Sequence, residues 1–498
     1  MKSSCIYTYV LLSLAFVGVN LVTLSNLPPW IDEVMLLDTS YNAAVHGRWE
    51  TTAWYRVVGQ YPFSTYPPLY QMLAAGWIGL VGGSLIAVRS LNLLVTFGLG
   101  GGCLRLMKRH GTQLTPWTTA LFTLLLWGTR EMAWMYRNGR PDMLCALVFV
   151  IAVCAIDEYL QTKSVAAHVA VVVTSALLLC SGVQAAVCLC ALGLFLFIVM
   201  KGRRKEVLRL LVLLLTGVLL GVLLVSLFML AHGRLVAFVG SVLPYSATLS
   251  NLALALLPWV GDVFGFSPKP YMQKLLELTT ESSLSQQFAS VVACRSFLVL
   301  SVAALVAYVI RFRCHLFRLW GDKGFLSLLF ALYVPVIMIL AGRFAVYYRW
   351  MVFLPLLVAI TSIAARHRWW CALLGVVAVL MATDGIRSML PDERWDVGHL
   401  HAFVERQHFK SSDVVVCPFS MFYEMKSVCD TCYFVGVFPT EFLGHVDYVI
   451  EASDGDEFDQ PITDYVNRLR TDTTVVLTIM DDCGHPSLTL YQVQTKHE

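Results

Sequence analysis

LPPWIDEVMLLDTSYNAAVHGRWETTAWYRVVGQYPFSTYPPLYQ, residues 27–71, is the first long polar interval in a chain that is otherwise mostly hydrocarbon. The carboxylate pair Asp32-Glu33 follows directly on an apolar run, and Tyr66-Pro67-Pro68 stands where apolar sequence resumes. Working outward from this interval, the chain repeats membrane-crossing lengths. Of its 498 residues 57% are hydrophobic and 14% charged, with a mean hydropathy of +0.68. Runs of about 18 or more apolar residues recur, each long enough to cross the hydrocarbon layer as a helix. That pattern excludes a soluble globule. Residues 5–25 form the first such run. A cleavable signal peptide would have a shorter apolar region and a small-x-small site, and none precedes Pro28 convincingly.

After the polar interval, residues 69–81 are apolar but only about 13 long, between Pro67-Pro68 and Gly82-Gly83-Ser84. That length predicts an interfacial or re-entrant helix rather than a span. Further runs follow at 85–104, 115–133, 143–160, 165–182, 183–200, 207–231, 289–310, 324–341, 350–365 and 369–387. Basic residues set the orientation, because cytoplasmic connections carry the excess Lys and Arg. An N-terminus inside gathers Arg105/Lys108/Arg109, Lys163, 201–205, Arg311/Arg313/Arg318/Lys323 and Arg366/Arg368 on the cytoplasmic side. Counting 69–81 as a full span would put all of them outside. The expected architecture is therefore an α-helical polytopic membrane protein of about eleven spans. Its elaborate loops (27–71, 134–142, 231–288, 342–349 and everything after Met389) would share the extracytoplasmic face.

The last hundred or so residues change character. Residues 397–409 have helical spacing and 461–469 again read as a helix. Between and after them, 413–417, 446–450, 474–480 and 488–493 are β-branched-rich runs bounded by turn residues, as strands are. The division is a membrane domain, 1–390, and a small extracytoplasmic α/β domain, 391–498. Four of the 14 Cys, Cys417, Cys429, Cys432 and Cys483, lie in the second part. The Cys429-Asp-Thr-Cys432 spacing fits disulfides, free thiols or zinc, and no second pair with ligand spacing follows it. On an outside face disulfides are the expected use.

Three constellations in the outside loops carry charge. Asp32-Glu33 reads either as a helix start, with Asp32 as N-cap, or as a general base or metal ligand for an acceptor hydroxyl. The two readings are compatible. Arg137-Asn-Gly-Arg140-Pro141-Asp142 is either an interfacial anchor with Asp142 capping the next helix, or a pair of guanidiniums for phosphate with a third carboxylate. Arg343-Phe-Ala-Val-Tyr347-Tyr348-Arg349-Trp350 is either an aromatic belt with a snorkelling Arg, or a phosphate contact from Arg349 and a Tyr hydroxyl. Arg89, inside a span, is costly there unless it faces a polar interior, and it reads as glue to a helix end.

In order, these motifs are an acidic pair after the first span, an interfacial helix, x-Pro-Pro-Leu-Tyr at 66–70, Gly-x-x-x-Ala-x-Arg-Ser from Gly83 to Ser90, Arg140-Pro-Asp-Met, and a Tyr/Arg turn before a late span. That order resembles the GT-C membrane glycosyltransferases, most of all the polyprenyl-phosphate-sugar users that include protein O-mannosyltransferases and the lipid A aminoarabinose transferase. The resemblance covers roughly residues 1–365. It implies a hexosyl or pentosyl transfer with inversion from a sugar-1-phosphate polyprenol, outside the cytoplasm, with 26–71 as the catalytic loop. By the same resemblance Asp32 activates the acceptor, Glu33 is its neighbour, and Asp142 is the acidic residue of the second outside turn. Tyr347 and Arg349 lie near the donor phosphate. Many relatives have Lys before the Pro-Pro equivalent; Tyr66 stands here, so Arg137, Arg140 or Arg349 would replace it.

The implied partners are a lipid-linked sugar donor, membrane lipids, and a glycan, lipid or protein acceptor, with no nucleic acid. A bacterial inner membrane is the expected location and a cell-envelope glycan the expected product. Two carboxylates suit either a Mg or Mn ion held by Asp32 and Glu33 or a metal-free base. A transporter or flippase is the rival reading. It would place charges within spans and often show two related halves, whereas here the charges sit mostly in outside turns and no repeat is visible.

Overall fold

The computed structural model describes residues 2–53, 67–182, 203–242, 350–365, 368–390, 395–434, 445–452, 460–472, 475–484 and 487–495, with isolated positions between 189 and 196. The expected runs 289–310 and 324–341, most of 183–200, and nearly all of the loops 231–288 and 342–349 lie outside the described residues. Helix α1 (Ser3–Thr23) runs into a 3₁₀ turn, Leu24–Asn26. Then come α2 (Ile31–His46), α3 (Leu69–Val81), α4 (Leu85–Arg109), α5 (Pro116–Gly128) and α6 (Arg130–Tyr136). Helices α7 (Asp142–Thr162), α8 (Val165–Ser181), α9 (Arg204–Ala231) and α10 (Leu235–Val242) follow, and α11 (Trp350–Ala364) and α12 (Arg368–Arg387) close the apolar part.

Local chemistry sets the helix ends. Ser84 accepts the Ala87 N–H at the start of α4, and Ser164 accepts the Ala167 N–H at the start of α8. Thr115 caps α5 with Pro116 behind it, where proline's missing N–H costs nothing. Gly47, at φ 67°, ends α2 in the left-handed conformation that suits glycine. The apolar run 69–81, expected as an interfacial or re-entrant helix, is helical as α3, with those bounds.

Among the described residues five helical stretches are long and apolar enough to cross a membrane: Ser3–Asn26, Leu85–Arg109, Asp142–Thr162, Arg204–Ala231 and Trp369–Arg387. Leu69–Val81, Val165–Ser181 and Phe353–Ser362 are shorter apolar helices. One expected run is corrected. Residues 115–133 do not form a single helix, because Thr129 is extended (ψ 137°) and separates α5 from α6. The break exposes the Trp127 carbonyl, which accepts the Tyr136 hydroxyl at 2.5 Å. It also coincides with the crossing of α12, where a side chain on Gly385 would overlap the Gly128 carbonyl. The outcome is that α6 turns toward the end of α1 and carries residues 137–142 there.

Helix α4 packs on α7 and α3, α1 on α5, α7 on α8 and α8 on α9. With 25 residues α4 is about 37 Å long. It separates Arg89 at one end from Arg109 at the other, where Arg109 pairs with Asp157 and Glu158 of α7.

The C-terminal part is one mixed sheet with helices on both faces. Helix α13 (Val397–Gln407), strand β1 (Val414–Cys417), a 3₁₀ turn (Phe419–Met421) and the short helix α14 (Phe422–Lys426) lead to β2 (Thr431–Phe434). They are followed by β3 (Tyr448–Ala452), α15 (Gln460–Thr471), β4 (Val475–Gly484) and β5 (Ser487–Thr495), in the sheet order β2-β1-β3-β5-β4. Strand β1 is parallel to β2 and β3, while β5 is antiparallel to β3 and β4. Alternation along β1 assigns its faces: Val415 and Cys417 join the main core, whereas Val416 packs with Ile462 and Val466 of α15. The strands expected from sequence are present. β2 and α14 are additional, since four residues read as a cysteine motif and five without periodicity gave no signal.

Among the described residues no disulfide forms, and Cys417, Cys429 and Cys432 are buried. The parallel register sets Val415 opposite Cys432 and Cys417 opposite Phe434, so the two strand thiols are out of step. Cys432 Sγ instead faces the Cys429 carbonyl at 3.6 Å. Burial, then the contact with Cys429, raises the Cys432 thiol well above its ordinary range and keeps it inert. Cys483 lies in β4 with its side chain outside the described set.

Candidate active site

The carboxylate pair opens α2, but neither residue is the cap expected of Asp32. The N-cap is Trp30, and Asp32 and Glu33 occupy the first turn, where unpaired N–H groups and the helix dipole favour carboxylates. Glu33 reaches back to the Trp30 N–H at 3.4 Å.

Glu33 is fully buried and held from two directions. Arg89 of α4 grips it with two parallel bonds, Nε to Oε1 and Nη2 to Oε2, both 2.8 Å. The same guanidinium donates to the carbonyls of Leu24 (2.7 Å), Leu27 (3.0 Å) and Pro28 (3.1 Å). Arg89 is thus the glue its sequence position suggests, tying the exit of α1 to the start of α2. From the C-terminal domain, the Tyr423 hydroxyl donates to Glu33 Oε1 at 3.0 Å. Burial, followed by the Glu33 carboxylate, pushes the Tyr423 phenol far above its ordinary range, so it remains a donor.

Asp32 is the accessible member of the pair, with 38% of its side chain exposed. It pairs with Nη1 of Arg140, whose Nε donates to Asp142 at 3.0 Å. One buried guanidinium therefore joins the first outside loop to the second. The 137–142 turn is held from beneath by Asn92 of α4, which donates to the carbonyls of Asn138 (2.6 Å) and Arg140 (2.8 Å). Gly139 lies against α2, where a β-carbon would overlap Leu37 and come within 3.0 Å of Glu33 Cγ.

Arg137 is also buried, yet only Nη2 is engaged, on the Thr23 carbonyl at 2.5 Å. Its Nε and Nη1 meet no acceptor among the described residues. Burial pulls this guanidinium down to about 10 against the opposing effect of Tyr136, and the Arg89 cation adds to the fall. It is still a cation at neutral pH, with N–H donors to offer. Leaving a buried donor unmet costs about 1–3 kcal/mol, so an anion at this position would be favoured.

Of the residues singled out from sequence, Asp32, Arg140 and Asp142 are joined directly, Glu33 stands beside Asp32 on Arg89, and Arg137 adjoins them on the Arg89 side. Tyr66, Tyr347 and Arg349 lie outside the described residues. Sequence reasoning missed Asn92, Tyr70, Asp38, Tyr423 and Lys426. Tyr70, in the quoted Pro-Pro-Leu-Tyr segment, is buried beside Glu33, Asn92 and Asp142, and its hydroxyl has no well-formed hydrogen bond among the described residues. An Asn within an apolar run was the one usable signal for Asn92. For Tyr423 and Lys426 there was none.

A Mg or Mn ion shared by Asp32 and Glu33 does not fit this geometry. Asp32 turns to Arg140, and both Glu33 oxygens are taken by Arg89 and Tyr423. Among the described residues no three His, Cys, Asp or Glu side chains are grouped to hold a metal.

No protein-family model matches the chain, and no curated protein matches it in sequence. Its fold has counterparts among solved structures. The arabinofuranosyltransferase AftD from Mycobacteria aligns at a TM-score of 0.53 and 12% identity, over 97% of this chain and 40% of AftD. The Archaeoglobus fulgidus oligosaccharyltransferase, tethered with an acceptor peptide, aligns at 0.51 and 12%, over 91% of this chain and 69% of that one. ArnT from Cupriavidus metallidurans bound to undecaprenyl phosphate aligns at 0.49 and 12%, over 98% of both chains. The first two likenesses show that the chain has the GT-C fold. With five helical stretches of membrane-crossing length and apolarity among its described residues, it is an integral membrane protein.

Proposed function

We propose that this chain is a glycosyltransferase that moves a sugar from a polyprenyl-monophosphate donor to an acceptor hydroxyl or phosphate on the extracytoplasmic face, with inversion. The observation that carries the reading is the division of charge in one buried cluster. An accessible carboxylate, Asp32, stands in it with Arg137, a buried cation that has donors to spare. For a hydroxyl acceptor, the acceptor oxygen bonds to the anomeric carbon as its proton passes to Asp32. The bond from that carbon to the phosphate oxygen breaks, and polyprenyl phosphate leaves with added negative charge. Arg137 meets that charge with N–H groups already in place. Tyr66, Tyr347 and Arg349 are proposed to complete the phosphate side.

Glu33 and Asp142 then have a different task from Asp32. Glu33, saturated by Arg89 and Tyr423, fixes the start of α2, and Asp142 fixes the Arg140 guanidinium that aims Asp32. The proposed setting is a bacterial inner membrane, N-terminus inside, with residues 391–498 as an extracytoplasmic domain. The basic ends at Arg105/Lys108/Arg109 and Lys163 favour that orientation.

The test uses purified protein in liposomes with a panel of polyprenyl-monophosphate hexoses and pentoses. Asp32→Asn is expected to insert and fold normally while losing sugar transfer at least roughly 100-fold, the usual span of general-base catalysis. Undiminished transfer by this variant would remove Asp32 from the mechanism.

A further inference from the structure

We infer that the C-terminal domain completes the candidate active site, with Tyr423 and Lys426 of α14 as positioning residues for the carboxylate-bearing helix α2. This inference rests on the proposed function.

Helix α14 is one short turn, and it sets Tyr423 and Lys426, three residues apart, on one face. Tyr423 donates to Glu33, the immediate neighbour of Asp32. Lys426, fully buried, donates to Asn42 Oδ1 at 2.9 Å and Thr52 Oγ1 at 2.8 Å, and lies 3.0 Å from Asp38 Oδ1. In return, Tyr41 donates its hydroxyl to the Lys426 carbonyl at 2.9 Å, and its ring meets Phe422 edge-on. Glu33, Asp38, Tyr41 and Asn42 all belong to α2, so the contacts run along this helix from its first turn to Asn42.

A docking face needs only apolar complementarity. Here the domain instead places a charge-assisted donor on the carboxylate next to the proposed base, and a buried cation on the acid that orders the chain after α2. Asp38 Oδ2 accepts the Thr52 N–H at 2.7 Å, the Ala53 N–H at 3.0 Å and the Thr51 hydroxyl at 2.6 Å. The start of α2 and residues 51–53 beyond its end are thus both referred to α14. Catalysis is sensitive to placements of this kind at the ångström level.

The experiment is a double-mutant cycle on the full-length protein in liposomes, with Tyr423→Phe, Glu33→Gln and the double variant. Turnover is scored per folded molecule, beside KM for the lipid-linked donor and Tm. Tyr423→Phe is expected to lower kcat roughly ten-fold, as loss of one hydrogen bond to a charged group does, and to leave KM within about two-fold. In the Glu33→Gln background the same change should cost less than about two-fold, because Tyr423 acts through Glu33. If Glu33→Gln fails to accumulate, a Lys426→Gln and Asp38→Asn cycle applies the same criterion at the second contact. Unchanged kcat per folded molecule with only a lower Tm would mean simple docking and would overturn the inference, as would multiplicative losses. Should Asp32→Asn retain full transfer, the proposed base falls while the cycle still reports on Tyr423 through kcat. If no lipid-linked sugar is transferred at all, the glycosyltransferase reading fails, and additive Tm shifts in the cycle would dispose of the coupling too.

Discussion

Lys426 Nζ lies 3.0 Å from Asp38 Oδ1, and neither side chain reaches solvent. The pair spans the sequence from the first helix after α1 to the middle of the C-terminal domain. Breaking such a pair leaves one charge buried without compensation, which costs about 3–5 kcal/mol. Lys426→Ala should therefore lower Tm and the yield of folded protein sharply. Lys426→Met combined with Asp38→Asn removes both charges and keeps an oxygen for the Thr52 and Ala53 N–H groups. That double variant should recover more than half of the lost Tm, and a thermal melt in detergent measures it.

Arg89→Lys keeps the positive charge and loses the fork. An ammonium cannot make the two parallel bonds to Glu33 and also reach the Leu24, Leu27 and Pro28 carbonyls. The start of α2 would then be loose relative to α1. Stability should fall by about 2–4 kcal/mol, and transfer at least roughly ten-fold, in the Tm and liposome assays. A silent Arg89→Lys would show that charge alone is what this position supplies.

The membrane part was legible because long apolar runs admit little besides spans. The bounds of α3 were legible too, from the Pro67-Pro68 and Gly82-Gly83 pairs that flank its apolar run. Gly128-Thr129 was not legible as a break, because the feature that coincides with it, the close approach of α12 at Gly385, lies over 250 residues away. In the site, the charged residues of 27–46 and 137–142 could be gathered by sidedness alone. Their division of labour could not. Glu33 and Asp32 are adjacent in sequence, and only the arrival of Arg89, Arg140 and Tyr423 makes one a buried strut and the other an accessible carboxylate. Tyr423 and Lys426 sit in a five-residue helix with no amphipathic repeat, so long-range contacts alone reveal them.

His401 ties α13 to α14 through Glu424, with Glu405 on its other nitrogen. The hydrogen bond to Glu424, aided by the charge of Glu405, raises its pKa above the ordinary 6.5 against slight desolvation. A raised histidine contributes stability that is complete below about 6.5 and is lost as pH rises through the folded value. The Tm difference between wild type and His401→Gln should be greatest near pH 5.5 and vanish at alkaline pH, with a small amplitude because the ring is exposed. A difference that grows with pH would contradict the assignment.

Gly139→Ala tests how closely the second outside turn is fitted to α2. The added β-carbon would overlap Leu37 Cδ1 and come within 3.0 Å of Glu33 Cγ and 3.1 Å of Oε1. Leu37 is fully buried in the main core, and only a shorter side chain there relieves the first contact. Glu33 cannot give way, because Arg89 and Tyr423 fix both of its oxygens. The turn must move instead, and it carries Arg137, Arg140 and Asp142 with it. Overpacking of this size costs about 1–3 kcal/mol. Adding Leu37→Val should restore part of the Tm by shortening the side chain at the first clash with little cavity cost, while the second still displaces Arg140 from Asp32. Transfer should therefore remain depressed in the double variant even as its stability recovers. Recovery of both together would mean that only the leucine contact matters and that the turn is not held in register by Glu33.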